Sequence, residues 1–178
     1  GQAGPQAVSK AARLIVRRRP SDILPAPTNT VWRYTLLKDS QLIDECPPCL
    51  RPIIPEPMQG KFNLRLVEQN PLFSNYALED ISFTAGSPGG RQYSMAGRGT
   101  YRVGGEVALV HEMFLEVFID DGITNKLCYL TNGPTLVDRP WPFIQITVDQ
   151  TNGTFTQVYR LTLAAAPLRD IWFSTANG

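Results

Sequence analysis

One histidine and three cysteines are all that this 178-residue chain offers for imidazole or thiol chemistry. The scarcity excludes most metal and nucleophile machinery at once. HEMFLE, residues 111–116, begins like a zinc-protease motif but has no second histidine. On a strand His111 and Glu112 would also point to opposite faces and could not share a ligand. No G-x-S-x-G, P-loop or G-x-G-x-x-G pattern occurs, which removes the common hydrolase, nucleotide and dinucleotide signatures. Charged residues make up only 19%. No apolar run reaches the ~18 residues a membrane-spanning helix needs. Long helical stretches are missing too, because 15 prolines and 14 glycines punctuate the chain.

Period-2 alternation is what the chain has instead. In GKFNLRLVEQ, Phe62, Leu64 and Leu66 face one way while Lys61, Asn63 and Arg65 face the other. Further strands are expected at 31–37, 76–85, 98–103, 106–119, 125–130, 143–149, 154–163 and 168–174, with SPGGR, VGG, DDG, TNGP and TNG as turns between them. The spacing predicts an all-β fold, an antiparallel sandwich or barrel of about eight to ten strands. A single β domain is expected over 31–178, preceded by a basic, proline-rich arm over 1–30. FNLRLVEQNPLFSNYAL and IQITVDQTNGTFTQVYRL echo each other as strand, Asn-containing turn, strand, which reads as one hairpin solution used twice.

The clearest hairpin is EVALVHEMFLEVFIDDGITNKLCYL. A two-residue type I′ turn at Asp121-Gly122 would pair Asp120 with Ile123, Cys128 with Leu115 and Tyr129 with Phe114. One side would then carry Val107, Leu109, His111, Met113, Leu115, Val117 and Ile119, making His111 a core-facing histidine held by a hydrogen bond. The opposite side carries Glu112, Phe114, Glu116, Phe118 and Tyr129, aromatic rings flanked by carboxylates. That combination suits stacking on sugars and accepting from their hydroxyls.

Catalytic and metal readings lose on geometry. Cys128 would lie four residues along the strand from His111, roughly 13 Å at about 3.3 Å per residue, too far for a Cys–His pair or a shared zinc with Cys46 and Cys49. Asp120, Asp121 and Asn125 are better explained by turn chemistry than by calcium, and the Asn152-Gly153-Thr154 sequon by a hairpin turn. No catalytic residue, metal or cofactor is expected.

DECPPCLRPIIPEP, residues 44–57, sets two cysteines around two prolines. A thioredoxin-type centre needs a helix start to lower its thiol pKa, and the following prolines oppose a helix. A disulfide is the better account, either Cys46–Cys49 or one of these with Cys128. Such a clip implies an oxidising compartment and hence export to the cell surface or beyond. The opening GQAGPQAVSK lacks the apolar core of a signal peptide, so the exported chain would be a mature form.

Charge is uneven. Residues 1–22 hold Lys10, Arg13, Arg17, Arg18 and Arg19 against Asp22, a net +4, and the rest of the chain is −3. The arm segment Ala12, Arg13, Leu14, Ile15, Val16, Arg17 alternates well enough to form a strand lent to a neighbour. Pro20, Pro25 and Pro27 follow it, and about ten extended residues reach some 30 Å at roughly 3 Å each. The expected function is a non-catalytic, exported structural or adhesive module, self-assembling through this donor strand into a homo-oligomer, filament or surface layer. The alternative is a carbohydrate-binding module using the aromatic face. A jelly-roll coat protein with a basic nucleic-acid arm ranks third, and nucleic acid is not the favoured partner.

Overall fold

A computed structural model describes residues 31–168. The arm with its donor segment 12–17, and the strand expected over 168–174 apart from Leu168, lie outside the described residues. The described chain is β throughout, with one 3-10 turn at Pro47–Cys49 and no α-helix. The ten strands are β1 Val31–Leu36, β2 Gln41–Glu45, β3 Glu56–Gln69, β4 Phe73–Ala85, β5 Tyr93–Gly104, β6 Val110–Asp120, β7 Asn125–Thr131, β8 Thr135–Leu136, β9 Ile144–Gln150 and β10 Val158–Pro167.

All pairings are antiparallel, and all belong to one sheet. β1 and β2 run in line, each pairing with both β10 and β3. Leu37–Ser40 forms an excursion between them. Ser40 repairs the ladder there, because its hydroxyl donates to Ala164 O at 2.9 Å and accepts from Ala164 N at 3.0 Å. From β3 the sheet proceeds through β4, β5, β6, β7 and β9 to β10, which pairs again with β1 and β2. The hydrogen-bonded path therefore returns on itself around one core.

Such closure requires the sheet to bend, and the bend has local causes. Gly60 in β3 adopts φ +147°, and Asp80 forms a left-handed bulge in β4 at φ 52°. The β4–β5 register slips between Leu78 and Ile81, opposite Gly97–Gly99. Bulges and strand glycines are the usual devices for coiling a sheet. Alternation then fills the interior with Tyr34, Phe62, Phe83, Tyr101 and Tyr159, all less than 2% exposed. Tyr34 and Phe62 stack with centroids 5.2 Å apart. Each such ring contributes roughly 1.5–3 kcal/mol by leaving water.

Three expectations need correction. First, β6 begins at Val110, so Val107 and Leu109 leave the apolar face, and Val107 is 98% exposed. Gly105 turns the chain there at φ +146°. Second, the β6–β7 register pairs Asp120 with Asn125, Val117 with Cys128 and Glu116 with Tyr129. The turn spans 121–124 because Asp121 Oδ1 accepts from Ile123 N, Thr124 N and Thr124 Oγ1, favouring a side-chain-closed loop over the two-residue turn. The slip is two residues, so every side chain keeps its face. Third, β2 and β8 lack a sequence signal, being five and two residues long.

The two echoing segments are both hairpins, β3–β4 and β9–β10.

Candidate functional site

Strand direction sorts the connections into two unlike ends. The clip end holds the loops after β2, β4, β6 and β9. The other end holds the loops after β3, β5 and β7, together with the chain's entry at Val31 and exit after Pro167.

At the clip end Cys46 and Cys49 are joined across the 3-10 turn, with Cα atoms 5.3 Å apart. Cys128 is buried and free, which removes the alternative pairing with Cys46 or Cys49. Burial pushes its thiol up to about 11, so it is a protonated core residue at neutral pH. Its partner is Val117, six residues along β6 from His111. The clip anchors the end of β2 and with it Asp44, whose side chain is only 6% exposed. Asp44 Oδ2 accepts from Tyr93 Oη at 3.0 Å and from Gln157 Nε2 at 3.2 Å. Arg51 and Arg91 each lie 3.5 Å from this carboxylate, and Arg91 also reaches Asp121 Oδ2 at 3.5 Å. Burial opposes ionisation of Asp121, but hydrogen bonds from Thr124 and Ile123 outweigh it and hold its carboxyl below the ordinary value. This network closes the clip end with its acceptors already occupied. Among the described residues, no three His, Cys, Asp or Glu side chains group as metal ligands.

The candidate ligand face lies outside the sheet. Phe114 and Phe118 are exposed, while Glu112, Glu116 and Tyr129 are half-buried. Phe114 and Tyr129 stack diagonally, with centroids 6.1 Å apart and planes at 15°. Both carboxylates already face arginines: Glu116 lies 3.1 Å from Arg98, and Glu112 lies 4.0 Å from Arg102.

The end holding Val31 and Pro167 is aromatic. Trp141 stacks on Tyr76 at 5.3 Å and meets Trp32 edge-on at 6.3 Å. Tyr34 Oη donates to Pro142 O at 2.9 Å, fixing the loop that carries Trp141. A depression of about 340 Å³ opens beside it, lined by Leu72, Phe73, Tyr76, Val103, Leu109 and Trp141. Leu72, Leu109, Trp141 and Phe143 are each between 41% and 50% exposed.

His111 sits beneath this end, 3% exposed, with its Nδ1 3.2 Å from Tyr101 Oη. Burial lowers its pKa, against a raising influence from Asp138. An unfolded chain therefore takes up a proton at a higher pH than the folded one. Stability is expected to be full above about pH 6.5, the unfolded histidine value, and to fall as pH drops toward the folded pKa. His111→Gln should flatten that segment of the stability–pH curve in urea titrations. A dependence unchanged in the variant would place the titration elsewhere.

Between β7 and β9 the ladder has only two residue pairs, Leu130 with Gln150 and Thr131 with Asp149. Toward the clip end, side chains stitch the seam: Asn152 Oδ1 accepts from Tyr129 N at 2.9 Å, and its Nδ2 donates to Leu127 O at 3.0 Å. The sequon asparagine is thus a ladder substitute. Toward the opposite end the chain leaves β7, and Asn132 ties to β6 instead, accepting from Met113 N at 2.8 Å. Neither asparagine was distinguishable by sequence from an ordinary turn residue. Comparison with protein-family models, curated proteins and solved structures finds no match.

Proposed function

We propose that this chain is a non-catalytic, exported structural module that assembles with copies of itself through its N-terminal arm. The observation that carries this reading is the coincidence, at one end of the sheet, of the chain's entry point with a cluster of exposed large apolar side chains. A segment arriving from residue 30 starts beside an exposed apolar surface that it could cover. Charge adds to this: residues 31–168 hold 11 basic and 14 acidic side chains, net −3, against the arm's +4. The disulfide supports export. Catalysis is disfavoured because the carboxylates that converge at the clip end are saturated by Arg, Tyr and Gln donors. Sugar binding by the Phe114–Tyr129 face ranks second for the same reason, since Glu112 and Glu116 are engaged by arginines.

Deleting residues 1–20 is expected to leave a folded β domain that no longer self-associates, measured by light scattering across a salt series. Assembly of the full chain should weaken as salt screens the arm's charges. A full-length protein that stays monomeric at high concentration and low salt sinks the proposal. Assembly only upon adding nucleic acid would replace it with the coat-protein reading.

A further inference from the structure

We infer that the acceptor for the arm is the free edge of β9 at Gln145 and Thr147, and that the occupant is residues 12–17 of a second copy. This rests on the self-assembly reading above and adds where the arm binds. Antiparallel ladders alternate, each residue turning its N–H and C=O to one neighbour only. Ala164, the partner of Gln145, directs both backbone groups to Ser40 on the far side of β10. Gln145 therefore turns its own backbone groups away from β10, and Thr147 does the same two residues on. Thr151 N, in the same phase, donates to Tyr129 O on β7 at 2.8 Å. The β7 ladder has ended by Asp149. Among the described residues, no strand meets Gln145 or Thr147 on that side.

An unpaired edge of this kind is a template for an added strand. The inward side chains of this stretch are Ile144, Ile146 and Val148, all buried, in the same period as Ala12, Leu14 and Val16. Phe143, which directly precedes β9, and Leu136, on β8 beside β6, are exposed. Gln145 Oε1 is buried without a hydrogen-bond partner, an acceptor suited to the arginines at positions 13 and 17. The β6 edge on this side is already paired with Thr135 and Leu136 and tied to Asn132, so an added strand bonds to β9 alone.

A second copy fits better than the chain's own arm. The 13 residues between Arg17 and Val31 include Pro20, Pro25 and Pro27, which favour extension over roughly 40 Å at about 3 Å per residue. Folding back onto its own end would require reversing within that stretch.

Thr147→Pro tests the edge selectively. It removes only the outward N–H, which an edge strand tolerates, so circular dichroism and thermal unfolding should remain near those of the parent while self-association is lost. Thr147→Ser should assemble normally. If Thr147→Pro fails to fold, a cross-link decides: Thr147→Cys in one copy, mixed with Ile15→Cys in a differently tagged copy, should form an intermolecular disulfide, because paired positions lie about 4.5–5.5 Å apart at Cβ. Arg13→Cys and Arg17→Cys cover a register slip of two. A folded Thr147→Pro that assembles like the parent overturns the β9 site while leaving self-assembly standing. So does the absence of any mixed disulfide in a chain that assembles. A double variant that cross-links within one copy overturns the second-copy occupant, and a monomeric full-length chain overturns both the site and the reading beneath it.

Discussion

Replacing Gly97 with alanine is expected to destabilise the protein by about 3 kcal/mol or more. A Cβ at this position would lie 2.1 Å from Glu116 O and 2.7 Å from Val117 Cα. Both obstacles are backbone of the paired strand, so no side chain can rotate away to make room. Gly99 repeats the situation, with Phe114 O 2.3 Å from its ideal Cβ. Relief would require β5 and β6 to separate where the sheet bends, in the middle of a ladder that runs unbroken from Ser94–Asp120 to Gly104–Val110. Gly133→Ala is the control. Its Cβ would meet nothing within 4 Å, and its effect should stay within about 0.5 kcal/mol. Guanidinium unfolding of the three variants measures the difference. Equal stabilities for Gly97→Ala and Gly133→Ala would mean that the bend is not held by close strand approach.

Those two glycines also show what the sequence could and could not convey. RGTYRV announced a strand by its alternation, but QYSMAG, which continues it backwards and holds Gly97, did not. Glycine lowers strand propensity when read locally, while its reason for being there is a neighbour 19 positions away, Glu116. The faces of β6 were legible because period-2 patterning is local. Register was not, because it depended on whether Asp121 would close the turn with its side chain. VALV at 107–110 is as apolar as the strand it precedes, and only tertiary placement put Val107 in solvent.

The same distinction applies to the sites. CPPC was legible as a clip because proline and cysteine chemistry act within four residues. The aromatic face was legible because it lies on one hairpin. The clip-end network was not, since Asp44, Arg91, Tyr93, Asp121 and Gln157 come from four separate stretches of chain. Each alone resembles an ordinary surface residue. The β9 edge was hidden for the opposite reason: an unpaired edge is defined by what fails to lie beside it.

Asp44→Ala is expected to cost about 2–4 kcal/mol, the second large effect. The carboxylate is nearly buried and accepts from Tyr93 Oη and Gln157 Nε2 while facing two guanidinium groups. Removing it strands the tyrosine hydroxyl and one amide donor away from water, at roughly 1–3 kcal/mol for each unsatisfied buried group. The arginines contribute less, because Arg51 and Arg91 are 47% and 40% exposed and can rehydrate. Gln157 retains Tyr159 Oη at 2.8 Å as an acceptor, which keeps the total below the sum of two full penalties. Asp44→Asn should fall between parent and alanine variant, since it preserves one acceptor oxygen but turns an amide donor toward groups that are themselves donors. Crossing Asp44→Ala with Tyr93→Phe isolates the shared bond, with an expected coupling of about 1 kcal/mol. Reducing the Cys46–Cys49 clip should diminish that coupling, because the clip fixes the strand end from which Asp44 projects. A cost below about 0.5 kcal/mol for Asp44→Ala would show that water already serves these donors and that the clip end is open rather than sealed.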